Sequence, residues 1–248
     1  MAQTDASETI RALEERACNA WPAHQTLLIG GWSVRLGRGY TKRANSASAL
    51  WPDGSFEQVR GVIEAIYQRQ GLKPVFRLSP LAGDADAVLA DAGYRMIEPV
   101  SIMRCALDAP NEDSQGVVVH AQASQAWLGG FAAATGLSAS ARSRHEAMLS
   151  ALALPAGHAT LYHDAQAVAH GLAVLERGMV GLFDIVVAPA HRGRGFGRAL
   201  TRGLLAWGRA QGASQAYLQV AIANTVAANL YRRLGFEPVY QYHYRVHD

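Results

Sequence analysis

The sequence predicts a mixed α+β (α/β) fold with two domains, each a mixed, mainly antiparallel sheet flanked by helices. Three observations support this prediction. Short apolar segments of strand character alternate with segments of helical period along the whole chain. Residues 108–116, rich in Asn, Glu, Asp and Ser, form the best linker. With 248 residues the chain can bury two cores, and we place the domains at 1–112 and 113–248.

The N-terminal half shows strands and helices in alternation. The predicted elements are a helix at 7–19, paired strands at 27–29 and 32–36, a helix at 55–70, a strand at 73–78, a helix at 84–92 and a strand at 96–107. The clearest of them is the helix at 55–70, because Phe56, Val59 and Ile63 recur at helical spacing. Ser55 and Gly71 are its predicted N-cap and stop.

The C-terminal half continues the alternation. The predicted elements are a strand at 116–121, helices at 124–135 and 139–152, a turn at 155–157, strands at 159–163, 167–176 and 179–187, a helix at 195–211, a strand at 216–222, a helix at 225–234 and a strand at 238–246. Short turns join the three central strands, which predicts an antiparallel meander. The helix at 195–211 is strongly amphipathic, with Leu200 and Leu204 opposite Arg198 and Arg202.

Composition narrows the class of protein. Apolar residues make up 50% and charged residues 17% of the chain, which is typical of a folded globular protein and excludes disorder and collagen. No apolar run is long enough for a membrane helix and no signal-peptide pattern begins the chain, so we predict a cytoplasmic protein with no membrane partner. Cys18 and Cys105 are too few for a disulfide framework or a zinc site, and no helical His-x-x-x-His pair occurs, so we predict no metal.

Charge is unevenly divided between the two halves. Residues 1–115 hold 12 basic and 14 acidic side chains, a net of −2, and residues 116–248 hold 11 and 6, a net of +5. Four of the basic residues lie within eleven positions: Arg192, Arg194, Arg198 and Arg202. This cluster favours a small anionic ligand over a nucleic acid, for which no interleaved aromatic face is present. A solvated helix face is the alternative explanation of the charge.

The most informative segment is the glycine-rich loop between a strand and the long helix. Its residues are Arg192, Gly193, Arg194, Gly195, Phe196 and Gly197. Glycines let the backbone approach a bulky anion, and the first N–H groups of the helix together with its dipole favour negative charge there. The loop departs from the dinucleotide fingerprint because residue 200 is Leu, and it has no P-loop Lys. A purely structural turn remains an alternative for the loop taken alone.

A second pattern follows the loop. Asn224 and Tyr231 are seven positions apart, so two helical turns bring an amide and a phenol to one face. Taken singly, Asn224 is a predicted N-cap and Tyr231 a core aromatic.

Together these two patterns resemble the GNAT superfamily of acyl-CoA-dependent N-acyltransferases. Arg192, Gly195 and Gly197 match its Arg/Gln-x-x-Gly-x-Gly/Ala signature, residues 224–236 match its next helix, and residues 116–246 follow its element order. The resemblance implies acetyl-CoA as cosubstrate, with its pyrophosphate on residues 192–197. Its pantetheine arm would lie along three strand residues, Ile185, Val186 and Val187, where that strand splays from 219–222.

The resemblance also implies a mechanism in which an amine attacks the thioester directly. Tyr231 would protonate the departing thiolate, and Asn224 would hydrogen-bond the pantetheine or a water. Relatives often place a Glu base at the position of Gly181. Asp184 is the only acidic residue of the strand at 179–187 and is the candidate base, although alternation would point it away from the face of Gly181. A water-relayed base or the neutral fraction of the amine are the alternatives.

The N-terminal half resembles a degenerate second GNAT copy. Asp53 and Gly54 stand where the glycine pair would be needed, so this copy should not bind CoA. Both halves end in a helix, a glycine, an aromatic residue and a strand, at Gly93 and at Gly235, which suggests an internal repeat. Residues 39–45 either line an acceptor cleft or form an ordinary exposed loop.

The predicted function is N-acetyl transfer from acetyl-CoA to a primary amine of a small molecule or of a peptide or protein. A non-catalytic acyl-CoA sensor or interaction module on the same fold is the alternative. The acceptor, the acyl length and the oligomeric state, monomer or homodimer, are left open by the sequence. Polycationic acceptors are disfavoured, because residues 116–248 hold only six acidic side chains that could attract them.

Overall fold

The computed structural model describes residues 2–51, 55–107 and 115–247. The helices are α1 (Ala2–Asn19), α2 (Phe56–Arg69), α3 (Ala85–Asp91), α4 (Gln125–Thr135), α5 (Ala139–Ser150), α6 (Phe196–Ala210) and α7 (Thr225–Arg232). The strands are β1 (Gln25–Ile29), β2 (Trp32–Leu36), β3 (Ala47–Ala49), β4 (Val75–Leu78), β5 (Arg95–Ala106), β6 (Val117–His120), β7 (Ala156–His163), β8 (Gln166–Glu176), β9 (Met179–Val187), β10 (Gln215–Ala221) and β11 (Glu237–Val246). Helices beside strands that pair in both directions confirm the predicted mixed class.

The chain forms two compact units that are not simple halves. The first unit holds residues 1–101, 221–223 and 240–248, and the second holds 102–220 and 224–239. The predicted domains, 1–112 and 113–248, differ from these units in three short segments and stay a prediction. Most of the predicted linker at 108–116 lies outside the described residues, as do Asp53 and Gly54.

The first unit is built on strands β1, β2, β3, β4 and the end of β11. β1 and β2 form an antiparallel hairpin, β3 pairs antiparallel with β2 and parallel with β4, and β4 pairs antiparallel with β11. Its core is aromatic: the ring of Phe56 lies 4.8 Å from that of Trp32 and 5.4 Å from that of Phe76. Phe56 is the first residue of α2, so these ring contacts attach the N-terminus of the predicted helix to the core.

A buried polar network links three elements of the first unit. Glu14 of α1 is fully buried and binds both Arg77 of β4 and the hydroxyl of Tyr240. The Arg77 guanidinium also lies 3.6 Å from the ring centroid of Tyr242. Since a buried carboxylate without partners is costly, β11 residues complete the polar core of the first unit.

Residues 39–45 form an ordered loop within the first unit. The Asn45 side chain accepts from the amides of Gly37 and Gly39 and donates to the carbonyls of Tyr40 and Thr41. These four hydrogen bonds give the segment an internal structural role. Its predicted contribution to an acceptor cleft stays a prediction.

The second unit contains the predicted meander. Strands β6, β7, β8 and β9 pair antiparallel in chain order, and β10 pairs parallel with β9. The end of β5 adjoins β10, where the Leu107 amide donates to the Ser214 carbonyl at 2.9 Å. The sheet therefore places β9, with its candidate site residues, between β8 and β10.

Helices cover both faces of this sheet. Gly171 of β8 faces α6, because a Cβ there would lie 2.8 Å from a methyl group of Leu204. The preceding residue of β8, His170, faces α4, because a Cβ on Gly130 of that helix would lie 2.3 Å from the His170 imidazole. Adjacent strand residues point to opposite faces, so α6 and α4 lie on opposite sides of the sheet.

One strand was missed and one local prediction is partly wrong. β3 was not predicted, because its small residues are all buried and show no alternation. The predicted turn at 155–157 is wrong from Ala156 onward, where β7 begins and pairs with β8. Ser55 is the N-cap residue of α2 as predicted, although its side chain makes no capping hydrogen bond.

The two predicted helix-to-strand corners have the same hydrogen bonding. Gly93 and Gly235 have φ of 83° and 86°, a region that glycine adopts without strain. The next amide, of Tyr94 or Phe236, donates to the carbonyl five residues back in its helix. This agreement supports the internal repeat, which stays a prediction.

Candidate active site

The glycine-rich loop leads into an uncapped helix N-terminus. Gly193 and Gly195 have φ of 75° and 85°, and a Cβ at either would meet no atom within 4 Å. Gly195 is the residue before α6 and supplies no side-chain cap. The backbone of the loop is therefore open at both glycines, and the N-cap residue has no side chain to bond the first amides of the helix. Gly197 differs, because a Cβ there would lie 3.3 Å from Leu230 of α7, so it is needed for close packing.

The arginines of the loop are held in different ways. The Nε of Arg192 donates to the carbonyl of Val187, the last residue of β9, at 3.2 Å. The guanidinium of Arg194 lies 3.0 Å from His163 Nε2 and 5.1 Å from the ring centroid of Phe196. Both side chains are exposed at these contacts, so forked donors flank the open helix N-terminus.

β9 and β10 separate beside this loop. Their parallel pairing joins Met179–Leu182 with Gln215–Leu218, while β9 runs on to Val187 and β10 to Ala221. This agrees with the splay predicted between residues 185–187 and 219–222. Ile185, Val186 and Val187 are only partly buried. The gap leaves strand-edge groups of β9 available to an extended ligand.

A β-bulge lies at the start of the splay. Leu172 of β8 pairs with Phe183 and His170 pairs with Val186, so Gly171 alone opposes Asp184 and Ile185. Asp184 has a φ of 51°, in the left-handed region. The extra residue interrupts the regular alternation of side chains along β9.

The bulge overturns the predicted direction of Asp184. By register, Gly181 and Phe183 lie on the face of β9 that α4 covers. The Asp184 carboxylate lies on this same face, because it contacts His145 of α5. The expectation that alternation would point Asp184 away from the face of Gly181 is therefore wrong, since it assumed a regular strand.

The Asp184 carboxylate is paired with a buried imidazole. Its Oδ2 lies 2.7 Å from His145 Nε2, and the two side chains are 6% and 1% exposed. The His145 ring packs 4.7 Å from Phe131 and 6.0 Å from Trp127, centroid to centroid. Sequence reasoning missed His145. The available signal was its position on the buried face of α5, three and four residues before Met148 and Leu149.

Two further histidines line the same face. Burial lowers the pKa of His158 of β7, against a smaller opposing effect of the Asp184 charge. Burial also lowers the pKa of His170 of β8. Both imidazoles are therefore neutral near neutral pH. His158 also borders a cavity of about 370 Å³ whose lining includes Leu128, Glu146 and Leu152, but none of the predicted site residues.

Tyr231 and Asn224 lie at opposite ends of α7. Tyr231 is 8% exposed and packs edge-on against Phe236, and burial raises the pKa of its phenol to about 12. Asn224 is exposed and caps the helix, with Oδ1 accepting from the Ala227 amide at 3.1 Å. The cap uses one of the two lone pairs of Oδ1 and leaves the amide nitrogen of Asn224 as a donor for a ligand. Their use of one common ligand stays a prediction.

Comparison with known proteins identifies the family. Residues 7–245 match the family described as Rv0428c_C, "Probable histone acetyltransferase Rv0428c C-terminal". The chain belongs to this acetyltransferase family, within the GNAT superfamily. It is an N-acyltransferase, as the predicted resemblance indicated.

Relatives of this GNAT chain match along most of its length. It is 31% identical over 247 residues to "Uncharacterized N-acetyltransferase YobR" of Bacillus subtilis, covering 96% of this chain and 99% of the relative. It is 28% identical to "Probable histone acetyltransferase Rv0428c" of Mycobacterium tuberculosis, covering 92% and 70% of the two chains. A GCN5-related N-acetyltransferase from Kribbella flavida shares the fold, with a TM-score of 0.71, 17% identity and coverage of 97% and 95%.

Two absences concern the described part of this GNAT chain only. Within residues 2–51, 55–107 and 115–247, no three His, Cys, Asp or Glu side chains come together as metal ligands. No helix in the same ranges combines the length and apolarity that crossing a membrane requires.

Proposed function

We propose that this chain transfers the acetyl group of acetyl-CoA to a primary amine of a small molecule or of a peptide or protein. The observation that carries the proposal is the open N-terminus of α6 beside the splayed end of β9. Glycines with positive φ and open space above them fit a bulky anion better than they fit protein packing. In this arrangement the proposed anion site at the N-terminus of α6 lies beside the strand-edge groups of β9.

The binding mode follows from the loop and the strand. The pyrophosphate of acetyl-CoA would accept hydrogen bonds from the amides of residues 192–197, assisted by Arg192 and Arg194. The pantetheine arm would run along Ile185–Val187 as an extra strand, with Asn224 as a further donor. The thioester would then lie near the bulge at Asp184.

The chemistry requires three proton transfers and no covalent enzyme intermediate. Asp184 takes a proton from the acceptor ammonium, and the freed electron pair of the nitrogen attacks the thioester carbonyl. The C–N bond forms, the C–S bond breaks, and the phenol of Tyr231 donates its proton to the departing thiolate. The nitrogen then loses its second proton to the tyrosinate, which restores the phenol and leaves the neutral amide. Burial raises the pKa of this phenol to about 12, so Tyr231 carries the proton that it would donate at neutral pH.

The acceptor is proposed as a class only. The relative from Mycobacterium tuberculosis is named as a probable histone acetyltransferase, so a lysine-containing basic peptide belongs in any screen. Small monoamines belong there equally. Residues 116–248 hold only six acidic side chains against eleven basic ones, and this net positive charge disfavours strongly polycationic acceptors.

The first test is calorimetric titration of acetyl-CoA into the wild-type protein and Gly195→Asp. Asp at a φ of 85° is strained, and its carboxylate would repel a phosphate. We expect one-to-one binding to wild type and a loss of at least about tenfold in affinity in the variant. Gly212→Asp is the matched control, since Gly212 also has positive φ and open space but lies at the other end of α6.

The second test is release of free CoA with a panel of amines and basic peptides. Turnover with any acceptor supports catalysis, in which Asp184 and Tyr231 are the proposed base and acid. Binding of acetyl-CoA without turnover across the panel would favour the acyl-CoA sensor. Absence of binding to wild type would contradict both readings.

A further inference from the structure

The Asp184 carboxylate contacts a residue that the sequence pattern of β9 does not predict. His145 lies 39 positions earlier, on α5, and its Nε2 is 2.7 Å from Asp184 Oδ2. An ionised carboxylate can only accept hydrogen bonds, so with neutral His145 the proton at this contact belongs to Nε2. The imidazole is a donor that occupies Oδ2 and leaves Oδ1 for a second partner.

The imidazole is itself fixed by packing. His145 is 1% exposed and lies against the stacked rings of Trp127 and Phe131, which are parallel to within 1°. A side chain confined in this way orients its hydrogen-bond partner at little entropic cost. The orientation of the carboxylate is therefore set both by the backbone of the bulge and by α5.

We propose that His145 is a positioning residue that holds the Asp184 carboxylate as the proton acceptor. The proposal rests on the proposed function. In the proposed reaction, an ammonium N–H bond breaks, an O–H bond forms at Asp184 Oδ1, and the electron pair stays on the attacking nitrogen. The Nε2–H of His145 stays in place during this step.

The test compares kcat and the KM for acetyl-CoA in wild type and two variants, at saturating acceptor. The amide of His145→Gln keeps a hydrogen-bond donor near Asp184. We expect this conservative variant to keep kcat within about threefold of wild type. His145→Leu removes the donor, and we expect its kcat to fall by about 10- to 100-fold with the KM for acetyl-CoA kept.

Controls separate this role from a structural one. Glu146→Gln changes the neighbouring residue, whose side chain accepts a hydrogen bond from Gln125, and should keep the wild-type kcat. Combining His145→Leu with Asp184→Asn should add no further loss to that of Asp184→Asn, because both changes act through one carboxylate. Turnover by wild type with an unchanged kcat in His145→Leu would overturn the inference. Absence of wild-type turnover would instead contradict the proposed function.

Discussion

The backbone conformation of Asp184 sets which face of the sheet its carboxylate occupies. In a regular strand its carboxylate would point toward α6, where Leu200 and Leu204 are fully buried. Its positive φ, at a cost on the order of 1 kcal/mol, sends it instead to the face of α4 and α5. The bulge therefore moves a charge out of an apolar core and into contact with His145.

Tyr231→Phe tests the other proton transfer at the residue scale. We expect kcat to fall by about 100-fold or more while acetyl-CoA affinity stays within about twofold, because the ring is kept and only the donor is lost. Since burial raises the pKa of this phenol to about 12, Tyr231 stays protonated as pH rises and should cause no alkaline loss of kcat below about pH 11. Free CoA release and calorimetry measure the two quantities.

Tyr162→Phe is the matched control for this prediction. Tyr162 lies on β7 and is 44% exposed, so losing its hydroxyl should change neither quantity. Unchanged kcat in Tyr231→Phe would show that another group, or water, protonates the thiolate.

At the scale of elements, glycines set how closely α4 approaches the sheet. Gly129 and Gly130 are neighbours in the same helix, yet their surroundings differ. A Cβ on Gly130 would lie 2.3 Å from His170, whereas one on Gly129 would lie 3.9 Å from Arg142. The His170 ring is 3% exposed and has little room to move.

These neighbours give a paired prediction. Gly130→Ala should lower the free energy of unfolding by about 1 to 3 kcal/mol, because the helix or the ring must shift. Gly129→Ala should raise it by roughly 0.5 to 1 kcal/mol, because Ala favours the helix and meets ordinary contacts. Urea unfolding of both variants measures the difference. Equal effects would mean that α4 does not rely on this close approach.

The sequence predicted the elements well where one local pattern decided them. The meander, the long helix α6 and the glycine-rich loop followed from periodicity and glycine positions. The direction of Asp184 was mispredicted because a bulge depends on the register between two strands. His145 was missed because its partner lies 39 positions away, and local periodicity carries no information about such a contact.

At the scale of the molecule, the chain returns at its end to the first unit, which contains β11 from Tyr240 onward. The hydroxyl of Tyr240 and the ring of Tyr242 complete the surroundings of Glu14 and Arg77. A chain ending at Val239 would keep the loop, Asp184 and Tyr231 but leave this buried ion pair partly unsupported. Its first unit would also lack the strand that pairs with β4.

Truncation tests this dependence. Ending the chain after Val239 should remove several kcal/mol from the first unit, because breaking a buried charge network typically costs about 3 to 5 kcal/mol. We expect loss of its cooperative unfolding transition by circular dichroism and exchange of its amide hydrogens. Ending after Val246 instead is the control and should keep both. A normal transition without residues 240–248 would contradict the structural role of β11.

The path of the chain between units also constrains the order of folding during synthesis. Glu14 and Tyr240 are 226 positions apart, so the first unit cannot acquire its full set of contacts when its own first 101 residues leave the ribosome. The second unit, with the meander and α6, contains most of its contacts within one continuous stretch and can form earlier. Residues 1–101 therefore emerge first but complete their contacts last. Until β11 is synthesised, the edge of β4 exposes unpaired backbone groups that chaperones or other nascent chains can bind.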